Sequence, residues 1–191
     1  MPASRARLTH SCTVERALPI ARDRGLAAVE SGVLKMLGIV AARSGDLDEA
    51  DRRYGECIAI ARRTGDAYLE LTASLNLADV RARRGDTELA LAGFREVVAM
   101  AVVAGFRRAH GVAANHVGLA LHEQGRLREA REAHEEGLAI HREMGNVRSE
   151  AYALEVVGVL AIEEGRPSEA ASTLERAVEL ARAHGLSAVL A

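Results

Sequence analysis

Apolar residues in this chain return at helical spacing, and the pattern as a whole returns every forty residues. Ile58, Val98, Leu138 and Val178 hold one phase of that period, and Ile60, Met100, Ile140 and Leu180 hold a second. A third phase carries the larger side chains Tyr54, Phe94, His134 and Leu174, and a fourth runs through Leu37, Leu77, Val117 and Val157. Within each block the apolar positions recur at i, i+3, i+4 and i+7, the spacing of one buried stripe on an α-helix. No stretch alternates apolar and polar residues with period two, so no sheet is predicted and the fold class is all-α.

Polar and small residues punctuate the same beat. Nine glycines, from Gly25 through Gly45, Gly65 and so on to Gly185, fall every twenty residues. Each is placed to end a helix in the left-handed conformation that a side chain resists. Asp46, Asp66, Asp86 and Asn146 follow such glycines and can cap the next helix. The spacing therefore predicts nine helices, one from about Ser11 to Arg24 and then 27–44, 47–64, 67–84, 87–104, 107–124, 127–144, 147–164 and 167–184. Pro167 suits a first turn, whereas Pro19 predicts a kink or a frayed start in the first helix.

Alternate intervals differ, so the repeating unit is a pair of helices. Seven residues before the glycine inside each pair stands a small residue, Gly38, Ala78, Gly118 or Gly158, and five after it an alanine, Ala50, Ala90, Ala130 or Ala170. Small residues at fixed phase mark close approach of two helix backbones. The predicted organisation is a frayed segment over 1–10 and a single domain over 11–191, with repeats at about 26–65, 66–105, 106–145 and 146–185. Leu186 to Ala191 reads as the opening of a further repeat, and an uncovered apolar end predicts self-association.

This rhythm resembles the tetratricopeptide repeat family, in a forty-residue form. The residues that carry the resemblance are Leu37-Gly38, Gly45-Asp46, Ala50 and Gly65-Asp66, and again Val117-Gly118, Gly125, Ala130 and Gly145-Asn146. It extends from about Leu18 to Ala191. The resemblance implies a right-handed α-solenoid of antiparallel helix pairs, about four repeats with a leading helix and a truncated trailing turn, whose first helices line a concave groove. The segment from Ala59 to Asp66 is also similar to the sensor arrays of bacterial transcriptional regulators. No G-x-x-x-x-G-K-[ST] phosphate loop occurs, so the nucleotide-binding part of such regulators is not in this sequence.

Charge and composition narrow the partners. A net charge of −2 and a pI near 6.4 give no general attraction to nucleic acid, and arginine supplies all but one of the 25 basic residues. Basic residues outnumber acidic ones up to Gly65, and the reverse holds from Asn146 onward. Cys12 and Cys57 are too few for a disulfide framework and have no metal-ligand spacing; Cys57 reads as a buried core thiol. No apolar run would span a membrane and no signal peptide is evident, so a cytoplasmic location is expected.

The groove implied by the resemblance would collect Lys35, Arg43, Asn76, Asp79 and Arg83 from its first half. From its second half it would take Asn115, His116, His122, Glu123, Glu155 and Glu163. An asparagine amide can bond both edges of an extended peptide, so Asn76 and Asn115 are the candidate backbone readers. A carboxylate clamp of the family kind would join Asn76 with Lys35, Arg43 and Arg83, although His116 and Val156 stand where later repeats would continue the asparagine. Tyr68 and Tyr152 are candidate rim contacts, with Tyr68 expected to pack at a repeat junction.

No cofactor, metal or catalytic residue is predicted. His116 and His122, six residues apart, point about 120° from one another, poor geometry for one metal. H-E-x-x-H, G-x-S-x-G and paired-cysteine motifs do not occur. The leading expectation is a non-enzymatic adaptor that binds a protein or peptide, in the manner of a regulator's sensor. Two alternatives stand beside it. One is a small enzyme or ligand-binding accessory of a biosynthetic pathway using His116, His122, Glu123 and Asp79. The other is an assembly module joined through uncapped ends into homo-oligomers. RNA binding ranks last, for want of aromatic stacking residues.

Overall fold

The computed structural model describes residues 16–186. The expected frayed segment 1–10, the helix start at Ser11, Cys12 and the trailing residues 187–191 lie outside the described residues. Helix α1 is described over 16–23, and α2 Ala27–Ser44, α3 Leu47–Thr64, α4 Ala67–Arg84 and α5 Thr87–Ala104 follow it. Then come α6 Arg107–Glu123, α7 Leu127–Glu143, α8 Val147–Glu163 and α9 Pro167–Ala183. Among the described residues there is no strand. The forty-residue pattern thus gives the helices to within a residue, α6 to α9 each ending one position sooner than predicted. Pro19 lies exposed within α1.

Each turn is built by the same chemistry. At Gly65 the backbone turns left-handed, with φ of 72°. The Gly65 amide donates to the Arg62 carbonyl at 3.3 Å and the Asp66 amide to the Ala61 carbonyl at 3.0 Å. These paired bonds close a helix through a left-handed residue. The Asp66 carboxylate then accepts from the Leu69 amide at 2.9 Å and starts α4. Asp46 and Asn146 cap α3 and α8 likewise, while the Asp86 carboxylate pairs with Arg84. Ion pairs span three of these turns eight residues apart: Arg22–Glu30, Arg62–Glu70 and Arg142–Glu150. Their arginines are largely exposed, so each contributes about 0–1 kcal/mol. No helix among the described residues is long and apolar enough to cross a membrane.

The described residues cluster into two compact units, one up to Gly93 and one from Phe94, the boundary falling within α5. In the first, Leu34, Leu37, Tyr54, Cys57, Ile60 and Leu77 form a continuous core with their neighbours. The ring of Tyr54 occupies the space that Gly38 leaves empty: a Cβ there would lie 2.7 Å from its Cε1. Cys57 is fully buried, its thiol donating to the Ser31 carbonyl at 3.3 Å, and burial pushes its pKa up to about 11. That is an inert thiol.

In the second unit the same packing rule holds with different side chains. A Cβ at Gly118 would collide with the His134 ring, and one at Gly158 would lie 2.6 Å from Leu174. Leu138, Ala153, Leu154 and Ala177 make a core between α7, α8 and α9. Phe94 stacks on His116 with ring centroids 4.9 Å apart.

Candidate functional site

The first unit displays a charged patch on α2 and α4. Arg43 and Arg83 occupy the same phase of successive first helices and both are exposed, while Lys35, Asn76 and Asp79 are half-buried. Arg83 is held in place, its guanidinium donating to the Ala42 carbonyl at 2.8 Å. Tyr54 lies close to this patch. Burial, and next the Asp79 carboxylate, push its phenol up to about 12, while Arg83 and Arg43 act the other way. The hydroxyl therefore stays protonated and can donate. Arg43, Arg83 and Asp79 act together on that phenol, whereas Lys35 acts on Cys57; with Asn76 at a neighbouring phase, two cations, one carboxylate and a side-chain amide suit an anionic or carboxylate-bearing ligand.

The second unit has a different patch on α6 and α8. His122 Nε2 and Glu163 Oε2 meet at 2.7 Å, with both side chains partly exposed. Glu123 and Glu155 are exposed, as are Val159 and Ile162. His116 is half-buried against Phe94. This face is acidic and apolar where the α2–α4 face is cationic. At the phase of Arg43 and Arg83 it carries Glu123 and Glu163.

Asn115 is not on that face, and this corrects the groove predicted from the sequence. It is buried between α6 and α7, its Oδ1 3.3 Å from His134 Nδ1 and its Nδ2 3.2 Å from His141 Nε2. With the amide so oriented, Oδ1 accepts from the Nδ1–H of His134 and Nδ2 donates to His141. The physical reason is Gly137 on α7, where a Cβ would collide with Asn115 Oδ1. That gap admits an amide, and two buried histidines compete for it better than solvent does. His134 Nε2 and His141 Nδ1 are left buried without a hydrogen-bond partner. Burial drives the His134 pKa down to about 4, and burial followed by Arg108 lowers that of His141.

Tyr68, expected to pack at a repeat junction, is 60% exposed, and Tyr152 is also exposed. Of the candidate acid–base set, His122 is engaged by Glu163 and His116 by Phe94. Among the described residues, no group of three or more His, Cys, Asp or Glu side chains could hold a metal ion. Sequence reasoning missed Tyr54 as a neighbour of the charged patch, since its phase signals only burial.

The tetratricopeptide repeat model matches residues 30–101 and 110–183. No curated protein matches the chain by sequence. Among solved structures, BtubC from P. vanneervenii superposes with a TM-score of 0.80 at 18% identity, over 95% of this chain and 74% of that one. A Rap protein complexed with competence and sporulation factor gives 0.75 at 15%, over 84% of this chain and 45% of the other. A signal transduction ATPase with numerous domains from Pyrococcus horikoshii, which carries a tetratricopeptide repeat sensor, gives 0.80 at 17%, over 94% and 28%. At these identities the likeness concerns the helical-repeat fold alone, and the chain spans half or less of the length of several of these neighbours.

Proposed function

The chain belongs to the tetratricopeptide repeat family, and we propose that it is a non-catalytic adaptor that captures a protein or peptide segment on the exposed faces of its first helices. The observation that carries this reading is the α2–α4 patch, where Arg43 and Arg83 are exposed at one phase of successive first helices, with Asp79 the carboxylate that shares their neighbourhood at Tyr54. Charged side chains held at one phase of adjacent helices reward a ligand of opposite sign, and the Arg83–Ala42 bond pre-organises one of them. A segment rich in acidic residues, or ending in its free carboxylate, fits that patch. A segment that is basic and apolar fits the α6–α8 face. The Rap protein seen with its bound factor supports such capture as something the fold can do.

The finer reading is that the chain serves as the sensor of a larger regulator. The tetratricopeptide repeat sensor of the Pyrococcus horikoshii ATPase supports that context. Selection of random twelve-residue peptides on the full chain, followed by fluorescence anisotropy, tests the binding role. Acidic peptides should enrich, and the double substitution Asn76→Ala with Arg83→Ala should weaken them at least about tenfold while helicity is unchanged. Undiminished affinity with an intact fold would remove the α2–α4 patch from the function.

A further inference from the structure

Two carboxylates of the second unit stand out for want of a partner. Glu123 on α6 and Glu155 on α8 are exposed, and among the described residues the side chain of neither joins an ion pair or a hydrogen bond. Glu163 differs, since His122 already holds it at 2.7 Å. The arginines of α6 and α8, Arg107, Arg108 and Arg148, stand in the first turns, and Arg148 lies two turns before Glu155. Between the two free carboxylates the surface is apolar: Leu119 is half-buried on α6, and Val159 on α8 is exposed. The His122–Glu163 bond shows which flanks of the two helices face each other. At about 100° per residue, Glu123 falls on the flank of α6 turned away from α8, and Glu155 on the flank of α8 turned away from α6. Leu119 and Val159 lie on the ridges between. The face thus has an apolar centre and an unpaired negative charge at each of two opposite corners.

We infer that this face takes a helical segment of a partner protein, crossing α6 and α8 diagonally, with a lysine or arginine near each end of the contact and apolar residues between; this rests on the reading of the first helices as a capture surface. Charge complementarity sets the partner's cations, and geometry sets their spacing. Glu123 shares the phase of Glu163, eight residues after Glu155, so the two free carboxylates are about 12 Å apart along the helix direction. Packed neighbouring helices lie about 8–10 Å apart, which makes the diagonal about 15 Å, or about three turns of a crossing helix. Residues i and i+11 of that helix share one face, with i+4 and i+7 on the same stripe above Leu119 and Val159. The helical form follows from Asn115. It is the one side-chain amide within α6 and α8, and both its polar atoms are spent on His134 and His141 in the core. An extended segment would find no amide here to read its backbone, whereas a helix satisfies its own. Nucleic acid and anionic membranes carry the wrong sign for Glu123 and Glu155.

Fluorescence anisotropy with the full chain, titrated to about 500 μM, tests this with a labelled synthetic peptide of about eighteen residues. It carries arginine at i and i+11 and leucine at i+4 and i+7, on an alanine and glutamine background that favours helix. Saturable binding is expected. Moving the arginines to i+2 and i+9 keeps the composition, turns them to the opposite face, and should weaken binding at least about tenfold. Proline at i+6, off the contact stripe, should do the same by breaking the helix. Glu123→Arg and Glu155→Arg should each weaken the first peptide to a similar degree. The double variant should instead bind a peptide with glutamate at i and i+11, and that exchange also shows that the variant is folded. A peptide that binds equally well in its rearranged or proline form, or that ignores both substitutions, overturns the proposal. If acidic peptides bind through Arg43 and Arg83 while this peptide does not bind, the helical site on α6 and α8 falls and the adaptor reading stands. If peptides of neither kind bind, both fall.

Discussion

Acidification should destabilise the second unit through His134, and the size of the effect follows from its environment. The ring is fully buried, bonded through Nδ1 to Asn115, with Nε2 facing no partner. Protonation would place a charge where only one nitrogen is satisfied. Its pKa is accordingly depressed from 6.5 to about 4. The unfolded chain takes up a proton as pH falls through 6.5, while the folded chain does not until about pH 4. Stability is therefore full above pH 6.5 and declines below it, by about 1.36 kcal/mol per unit of pH. Integrated from pH 7 to 4.5, His134 alone removes roughly 2–2.5 kcal/mol. His141, also depressed, acts in the same direction. Urea unfolding at the two pH values measures the total, and His134→Leu isolates the part due to this ring. Leucine suits the site because Leu174 fills the same phase against Gly158. The variant leaves Asn115 Oδ1 without its donor, a cost equal at both pH values that cancels in the comparison. The variant should lose about 2 kcal/mol less than the parent on acidification. Equal losses would refute the assignment of the acid-sensitive group, and so would an NMR titration of the His134 ring with a midpoint near 6.5.

Two glycine classes should respond differently to alanine. Gly118→Ala forces a Cβ into the His134 ring and should cost about 1–3 kcal/mol; removing the ring with His134→Ala should abolish most of that cost in a double-mutant cycle. Gly65→Ala has open space around its Cβ but sits at φ of 72°, so it should cost about 1–2 kcal/mol with no rescue by any neighbour. Thermal unfolding of the set distinguishes steric from backbone strain. Asp66→Ala removes the bond to the Leu69 amide and should lower stability by about 1 kcal/mol in the same assay, with Asp66→Asn retaining most of it.

The forty-residue beat made the helices legible because every link in the argument was local: a left-handed glycine, a cap and a period of 3.6. The sites were less legible because they depend on side chains from different helices. Asn115 stands at the phase of Lys35 and Glu155 and so looked like a groove residue; its inward turn needs Gly137 and His134 together, about twenty residues away. A signal was present all the same. Gly137 breaks a phase otherwise held by Cys57, Val97 and Ala177, and a missing side chain in a core invites a filler from across the interface. Tyr68 shares its phase with Arg108 and Arg148, both exposed, and that comparison outweighs the aromatic's usual tendency to pack. The His122–Glu163 and Arg83–Ala42 contacts each join residues forty-one apart. Within each unit the two first helices therefore touch at one period plus one residue, an offset that the beat alone does not specify but that two independent bonds share.

Repeats that share a backbone plan run the risk of pairing with the wrong neighbour during folding, and the divergent core residues bear on that. The close-approach glycine is met by tyrosine at Gly38, histidine at Gly118 and leucine at Gly158. Four of the buried polar residues, His110, Asn115, His134 and His141, are confined to α6 and α7. If α6 packed against a second helix carrying leucine and alanine at the phases of His134 and His141, Asn115 would be buried with neither partner. An unsatisfied buried amide costs about 1–3 kcal/mol, comparable to the gain from a correctly filled glycine notch. The converse pairing strands two imidazoles in an apolar interface at similar cost. The first, third and fourth hairpins are thus keyed by different chemistry. The third repeat is keyed by hydrogen bonds, whose penalty for a wrong partner adds to that of shape, and it accepts acid sensitivity at His134 as the consequence.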